Sequence, residues 1–175
     1  GVAAYGIIAN LALIVLSIFT GVANGVQPLL SVSYGEQNEK KLRSFFHDAL
    51  ILVVVLGGIC YWIGAAFPEA LTSIFNRDGD PLAKIAVEGI RIYFLAFFFM
   101  GLNIVLSSYF AATAAPSRAF LVSTLRGLII VVPLILLLPH FWGLHGVFLT
   151  IPLAELITLG IGVLLLLKNR VPLHS

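Results

Sequence analysis

The chain of 175 residues is 60% hydrophobic and only 10% charged, and its mean hydropathy is +1.07. About a quarter of the residues in an ordinary soluble domain are charged, so this composition argues against a soluble fold. The net charge of +2 is too small to indicate a nucleic-acid partner. The single cysteine, Cys60, excludes an internal disulfide and a CxxC metal site.

The first predicted element starts almost at the first residue, because Gly1 is followed directly by apolar residues and the only methionine is Met100. We therefore expect the chain to be the C-terminal part of a longer protein. A membrane-spanning helix needs about 20 mostly apolar residues. The charge-free runs predict five such helices, in the approximate spans 4–31, 47–68, 88–112, 121–138 and 146–167.

The apolar runs favour helices over the strands of a membrane β-barrel. Barrel strands alternate apolar and polar residues, whereas residues 50–56 (LILVVVL) are apolar at every position. A continuous apolar segment satisfies its own backbone hydrogen bonds in lipid only as a helix. A turn-like stretch, residues 139–143 (PHFWG), is expected to separate the fourth and fifth spans.

The distribution of Lys and Arg predicts an orientation in the membrane. One side of the membrane would carry seven of these residues. They lie in the loop after the first span, at the start of the fourth span and at the end of the fifth: Lys40, Lys41, Arg43, Arg118, Arg126, Lys168 and Arg170. The opposite side has only Arg77, Lys84 and Arg91. Because cytoplasmic loops are enriched in Lys and Arg, the first residue is expected outside and the C-terminus in the cytoplasm.

Two loops carry further signals. In residues 36–49, an apolar stripe and a favourable i,i+4 pair of Glu39 with Arg43 predict an interfacial helix that runs into the second span. At the outer end of the third span, Glu88 and Arg91 are expected to pair at i,i+3. His140 and His145 have no clustered carboxylate or cysteine, so no metal site is predicted.

A series of motifs resembles the multidrug and toxic compound extrusion (MATE) transporter family. Residues 27–35 (QPLLSVSYG) with the basic loop behind them resemble the signature after the second helix of a MATE lobe. Residues 91–94 (RIYF) lead into 101–105 (GLNIV) in the same way. Toward the C-terminus, the matching segments are 125–127 (LRG) with Pro133, and 143–147 (GLHGV) with 151–155 (IPLAE).

The resemblance implies an all-α membrane protein of twelve helices in two six-helix lobes. The chain would then be a bundle of five transmembrane helices, eight to twelve, forming residues 1–175 of a partial C-terminal lobe. The N-terminal lobe and one helix of the C-terminal lobe would lie outside it. The resemblance also implies a multi-pass protein of the inner cell membrane, with the lipid bilayer and the missing lobe as its partners.

The implied function is secondary antiport rather than enzymatic catalysis: export of amphipathic organic cations and other xenobiotics in exchange for H⁺ or Na⁺. No cofactor beyond this coupling ion is expected, and the chain alone is expected to be inactive because it lacks a second lobe. One alternative is a flippase for lipid-linked sugars of related architecture, but its cavity needs more cations than Arg126 and Arg91 supply. The other alternative is a membrane-embedded enzyme. Such an enzyme needs converging His, Asp or Glu residues, whereas Glu155 is alone in its span.

Glu155 is the sharpest candidate for an ion or substrate site, because a carboxylate deep in a spanning helix costs about 2.5–3.5 kcal/mol to insert. Pro152, three residues earlier, frees a backbone carbonyl nearby. Glu155 could bind a proton, a sodium ion or an organic cation; alternatively it could be a structural partner for Arg126. Arg126 is expected to lie about 10 Å from Glu155 in depth at 1.5 Å per residue, which favours an interfacial anchor.

Other polar and aromatic residues are weaker candidates. Asn103 lies mid-span where some sodium-coupled MATE members have a carboxylate, so it could contribute to a cation site or simply bond across helices. Gln27 and Asn24 near the cytoplasmic end of the first span have the same two interpretations. An apolar cavity for aromatic cations could be lined by Tyr5, Asn10, Phe94, Phe97 and Phe98, although an aromatic stripe is more often ordinary packing.

Overall fold

The structure, a computed structural model, describes residues 2–75 and 81–168 and confirms the predicted all-α bundle. The helices, in chain order, are α1 (Val2–Gly35), α2 (Glu39–Ala66), α3 (Pro68–Phe75), α4 (Pro81–Tyr93), α5 (Ala96–Ala112), α6 (Pro116–Thr124), a π-helical turn (Leu125–Ile129), α7 (Val131–Trp142) and α8 (Leu144–Lys168). Within these described residues, four continuous helical runs are long and apolar enough to cross a membrane, and α4 with α5 could form a fifth.

The third predicted span, 88–112, is divided between two helices. α4 ends at Tyr93 and α5 begins at Ala96, and the two helices are bent by 42° at this break. The sequence across the break is Tyr-Phe-Leu-Ala, which contains neither Pro nor Gly. The ring of Phe94 packs beside Phe97, with the ring centroids 4.6 Å apart. The bend thus coincides with the packing of the Phe94 ring and not with a Pro or Gly residue.

The predicted interfacial helix and the second span form one continuous helix, α2. Asn38 caps its start, because the Asn38 side-chain oxygen accepts a hydrogen bond from the backbone N–H of Lys41 at 3.1 Å. Glu39 and Arg43 form the predicted i,i+4 ion pair. Leu42 and Ala49 are buried on the inner face, so the amphipathic stripe packs onto the bundle.

The turn between the last two spans comes later than predicted. The expected turn at 139–143 is mostly helical, since α7 continues through Pro139 to Trp142. Gly143 ends the helix with a φ of 58°, and its N–H donates to the carbonyl of Pro139 at 2.8 Å. Glycine adopts this positive φ without the steric cost that a side chain would bring.

The core surrounds α5, which contacts α1, α2, α6 and α8. Large aromatic side chains from different helices fill it, and Phe19, Phe97, Phe110 and Phe148 are almost completely buried. Large apolar side chains also cover the outer faces of α2, α7 and α8, as lipid contact requires. The central position of α5 places its polar residue, Asn103, at the middle of the bundle.

Candidate functional site

The buried carboxylate of Glu155 is paired with the guanidinium of Arg126. Glu155 lies in α8 and its side chain is only 3% exposed, whereas that of Arg126 is 20% exposed. The Nη2 atom of Arg126 donates to Oε1 of Glu155 at 2.7 Å. Its Nε atom lies 3.1 Å from Oε1 and 3.2 Å from Oε2. This two-pronged contact neutralises the carboxylate inside the bundle.

Asn103 joins a third helical segment to the same carboxylate. The Nδ2 group of Asn103 donates to Oε2 of Glu155 at 2.7 Å and to the Glu155 backbone carbonyl at 2.9 Å. The amide must face this way, because the reverse orientation would place Oδ1 against an anion and a carbonyl. The three side chains therefore tie α5, the π-helical turn and α8 together, and we call them the Glu155 cluster.

Two oxygen atoms near the cluster have no hydrogen-bond donor among the described residues. They are Oδ1 of Asn103 and Oγ1 of Thr158, and both residues are fully buried. Thr158 follows Glu155 by three residues and so lies on the same side of α8. An unsatisfied buried acceptor costs about 1–3 kcal/mol, so water, a proton or a cation at this place would be stabilised.

The π-helical turn presents Arg126 to Glu155. The N–H of Ile130 donates to the carbonyl of Leu125, five residues earlier, at 3.1 Å. Pro133 lacks an N–H and cannot donate to Ile129, which removes the regular helical bond at the end of this turn. Such single π turns are frequent at functional sites.

Comparison with known proteins identifies the family. The sequence model of the MatE family matches residues 1–137. The chain belongs to the MATE family. It is 22% identical over 156 residues to the multidrug export protein MepA of Staphylococcus saprophyticus, which covers 89% of this chain and 34% of that protein. For MepA of Staphylococcus haemolyticus the identity is 20% over 171 residues, covering 97% and 37%.

Solved structures show the same fold. An outward-facing MATE multidrug resistance transporter of the MOP superfamily superposes with a TM-score of 0.91 at 16% identity, over all of this chain and 40% of its own length. An inward-facing one gives 0.85 at 15% identity, over 94% of this chain and 38% of its own. A MOP superfamily transporter from Pyrococcus furiosus gives 0.89 at 15%, over 100% and 40%. This MATE chain thus spans little more than a third of the length of these relatives.

The expectation that Arg126 is an interfacial anchor was wrong, because its side chain points into the bundle and pairs with Glu155. The depth estimate compared backbone positions only, whereas the contact is made by the far end of the long Arg126 side chain. The second interpretation of Glu155, a structural partner for Arg126, describes the observed contact. Asn103 likewise makes a hydrogen bond across helices. Thr158 and the π-helical turn were missed, although the spacing of Thr158 and the position of Pro133 were signals.

The remaining candidates do not join the Glu155 cluster in this MATE chain. Phe94 and Phe97 are buried in the core, and Phe98 packs on Tyr61 with ring centroids 5.0 Å apart. These contacts are packing, and a role for the rings in an aromatic cavity stays a prediction. Asn10 and Asn24 are exposed, Gln27 is half-buried, and the Tyr5 side chain lies outside the described part.

One further sequence prediction, an ion pair within α4, fails. Glu88 was expected to pair with Arg91, but Oε2 of Glu88 lies 3.6 Å from Nε2 of His145 instead. Both of these side chains are 65% exposed, so the contact contributes little to stability. It connects the middle of α4 to the start of α8.

Proposed function

We propose that the full-length protein containing this chain is a secondary antiporter that exports amphipathic organic cations in exchange for H⁺ or Na⁺. Membership of the MATE family supports this function, as do relatives described as multidrug export proteins. The observation that carries the proposal is the buried carboxylate of Glu155, which is held by donors from two other helical segments. We assign Glu155 as the cation-exchange group of this lobe.

Charge balance suggests how the Glu155 cluster takes part in exchange. Arg126 and Glu155 together are neutral, so an added cation would leave a net positive charge inside the bundle, which is costly in a membrane. A proton or sodium ion arriving at Glu155 would therefore replace Arg126. The guanidinium is already 20% exposed, and its π-helical turn has lost one regular bond. Arg126 thus acts as a resident cation that the coupling ion displaces.

Efflux by the full-length protein tests the role of Glu155. Glu155→Gln keeps the size and much of the hydrogen bonding of the side chain but removes its charge. We expect export of ethidium from cells to fall to near background when it is expressed per amount of folded protein in the membrane. This normalisation is needed because the change also leaves Arg126 unpaired. Glu88→Gln is the matched control, because the Glu88 side chain is 65% exposed midway along α4 and this change should leave efflux unchanged. Normal efflux by Glu155→Gln would exclude the assigned role.

In the proposed orientation the chain spans the inner membrane with its first residue outside and its C-terminus in the cytoplasm. Its support is the excess of Lys and Arg at one end of the helices. In a full-length Cys60→Ala background, a cysteine at Ser44 should resist membrane-impermeant maleimide in intact cells, whereas one at Glu69 should react. Both positions are exposed in the structure, so burial does not limit labelling. Labelling of Ser44 alone would reverse the orientation.

A further inference from the structure

A groove of about 350 Å³ lies between α1 and α2 and shares no residue with the Glu155 cluster. Gly21, Gly25 and Leu29 line it from α1, and Phe45 and Leu52 line it from α2. These segments make the groove about 10–12 Å long at 1.5 Å per residue. Sites for small molecules usually have volumes of about 300–1,000 Å³, so the groove is large enough for a small amphipathic molecule.

Two glycines keep this groove open. A side chain added at Gly21 or Gly25 would meet no atom within 4 Å. Glycine weakens a helix relative to alanine, and in membrane helices it often serves a close contact between backbones. Gly57 of α2 serves such a contact, because an added Cβ would lie 2.6 Å from the backbone oxygen of Phe97. No helix that the structure describes approaches Gly21 or Gly25 in this way, so the two glycines leave space for another molecule.

Asp48 is the one charged residue that lines the groove, and its carboxylate has no firm cationic partner among the described residues. The structure gives it one ionic contact, to Nδ1 of His47 at 3.8 Å, and both of these side chains are largely exposed. Lys41, on the same face of α2, is two turns away, or about 10 Å at 1.5 Å per residue. The residues three and four positions from Asp48 are uncharged: Ser44, Phe45, Ile51 and Leu52. A cation in the groove would therefore meet a carboxylate that no Lys or Arg of α2 neutralises.

The polarity of the groove matches that of an amphipathic cation. Asp48 lies at the start of the predicted second span, where the hydrocarbon begins, whereas Leu52 and Gly21 lie deeper. Phe45 precedes Asp48 by about one turn, so its ring can add a cation–π contact to a cation bound there. An acyl chain or an apolar helix could fill the groove but would leave the carboxylate unpaired. Charge complementarity therefore favours an occupant with a cationic head and an apolar body.

We infer that the groove between α1 and α2 is a binding site for amphipathic organic cations, with the cationic head on Asp48 and the apolar body between Gly25 and Leu52. The inference rests on the proposed function for the class of ligand, and it adds a site that is separate from Glu155. In the proposed orientation the groove lies at the cytoplasmic side of the membrane. A cation that has entered the cytoplasmic leaflet would therefore bind here before it is exported.

Photochemical cross-linking of the full-length protein in phosphatidylcholine nanodiscs tests the groove. The probe is a dodecyltrimethylammonium ion with a diazirine in its chain, and the control probe is the dodecyl sulfate that has the same diazirine. We expect the cation to label residues 21–29 and 45–52 several-fold more than the sulfate does. Equal labelling by the two probes would identify a lipid-facing surface and overturn the inference. Absence of labelling by either probe would mean that another helix or a second copy covers the groove, which would overturn it as well.

A pair of carboxylate variants tests the role of Asp48 in the same experiment. Asp48→Asn keeps the size of the side chain and removes its charge, and folding should tolerate the change because Asp48 is exposed. We expect labelling of the groove by the cation to fall several-fold, to the level of the sulfate. Glu36→Gln is the matched control, because Glu36 is also exposed but does not line the groove. Undiminished labelling of Asp48→Asn by the cation would contradict the inference.

The groove and the proposed function can fail separately. Cross-linking needs no ion gradient, so Glu155→Gln should lose ethidium export and still be labelled in the groove by the cation. Normal ethidium export by a protein whose groove is not labelled would overturn the inference alone. A labelled groove in a protein that exports no ethidium would support the groove and count against the proposed function alone.

Discussion

Replacing either partner of the buried ion pair should destabilise the full-length protein by roughly 3–5 kcal/mol, because each change strands the other charge inside the bundle. We expect this loss for Glu155→Met and for Arg126→Leu alone. The loss for Glu155→Met should lie near the lower end of the range, since the Arg126 that it strands is already 20% exposed. The measurement is the free energy of unfolding in mixed micelles titrated with SDS.

The double variant Glu155→Met/Arg126→Leu should be much more stable than the two single losses imply. Apolar residues of similar volume often replace a buried ion pair at little cost, because both desolvation penalties disappear together. The expected coupling between the two sites is therefore large. Simple addition of the single losses in the double variant would show that the two charges do not depend on each other.

Gly57→Ala is expected to disturb the packing of α2 on α5 with a loss of about 1–3 kcal/mol. A Cβ atom at this position would lie 2.6 Å from the backbone oxygen of Phe97 and 3.2 Å from its carbonyl carbon. Backbone atoms cannot rotate away as a side chain can, so the helices must separate. Folding is measured by the same SDS titration.

The adjacent glycine supplies the control. At Gly58 the nearest atom to an added Cβ is Cε1 of Phe98 at 3.6 Å, an ordinary contact. Alanine favours a helix over glycine by about 1 kcal/mol, so Gly58→Ala should be neutral or stabilising. A loss at Gly58 as large as that at Gly57 would mean that the close approach of α2 to Phe97 is not the cause.

The sequence was sufficient for the fold class because lipid leaves few alternatives. A run such as residues 50–56, apolar at every position, satisfies its backbone only as a helix. The bend between Tyr93 and Ala96 was not predictable, because no local residue breaks the helix there. The ring of Phe94 lies against Gly64 of α2, which is distant in sequence. The predicted end of α7 was too early, because the helix continues through Pro139 and ends only at Gly143.

The candidate site was predictable in part for the same physical reason. Glu155 could be recognised from sequence because a carboxylate in a spanning helix is costly and needs a partner. The identity of that partner required the structure, since a depth estimate from backbone rise does not include the reach of the Arg126 side chain.

The most direct test of the assignment of Glu155 to cation exchange is ethidium transport by the full-length Glu155→Met/Arg126→Leu protein in proteoliposomes with an imposed H⁺ or Na⁺ gradient. This variant is expected to be folded, so a loss of transport cannot be attributed to instability. If Glu155 exchanges cations, the variant should show no gradient-driven transport although its unfolding free energy is near normal. Transport at the wild-type rate would show that the ion pair only holds the three helical segments together.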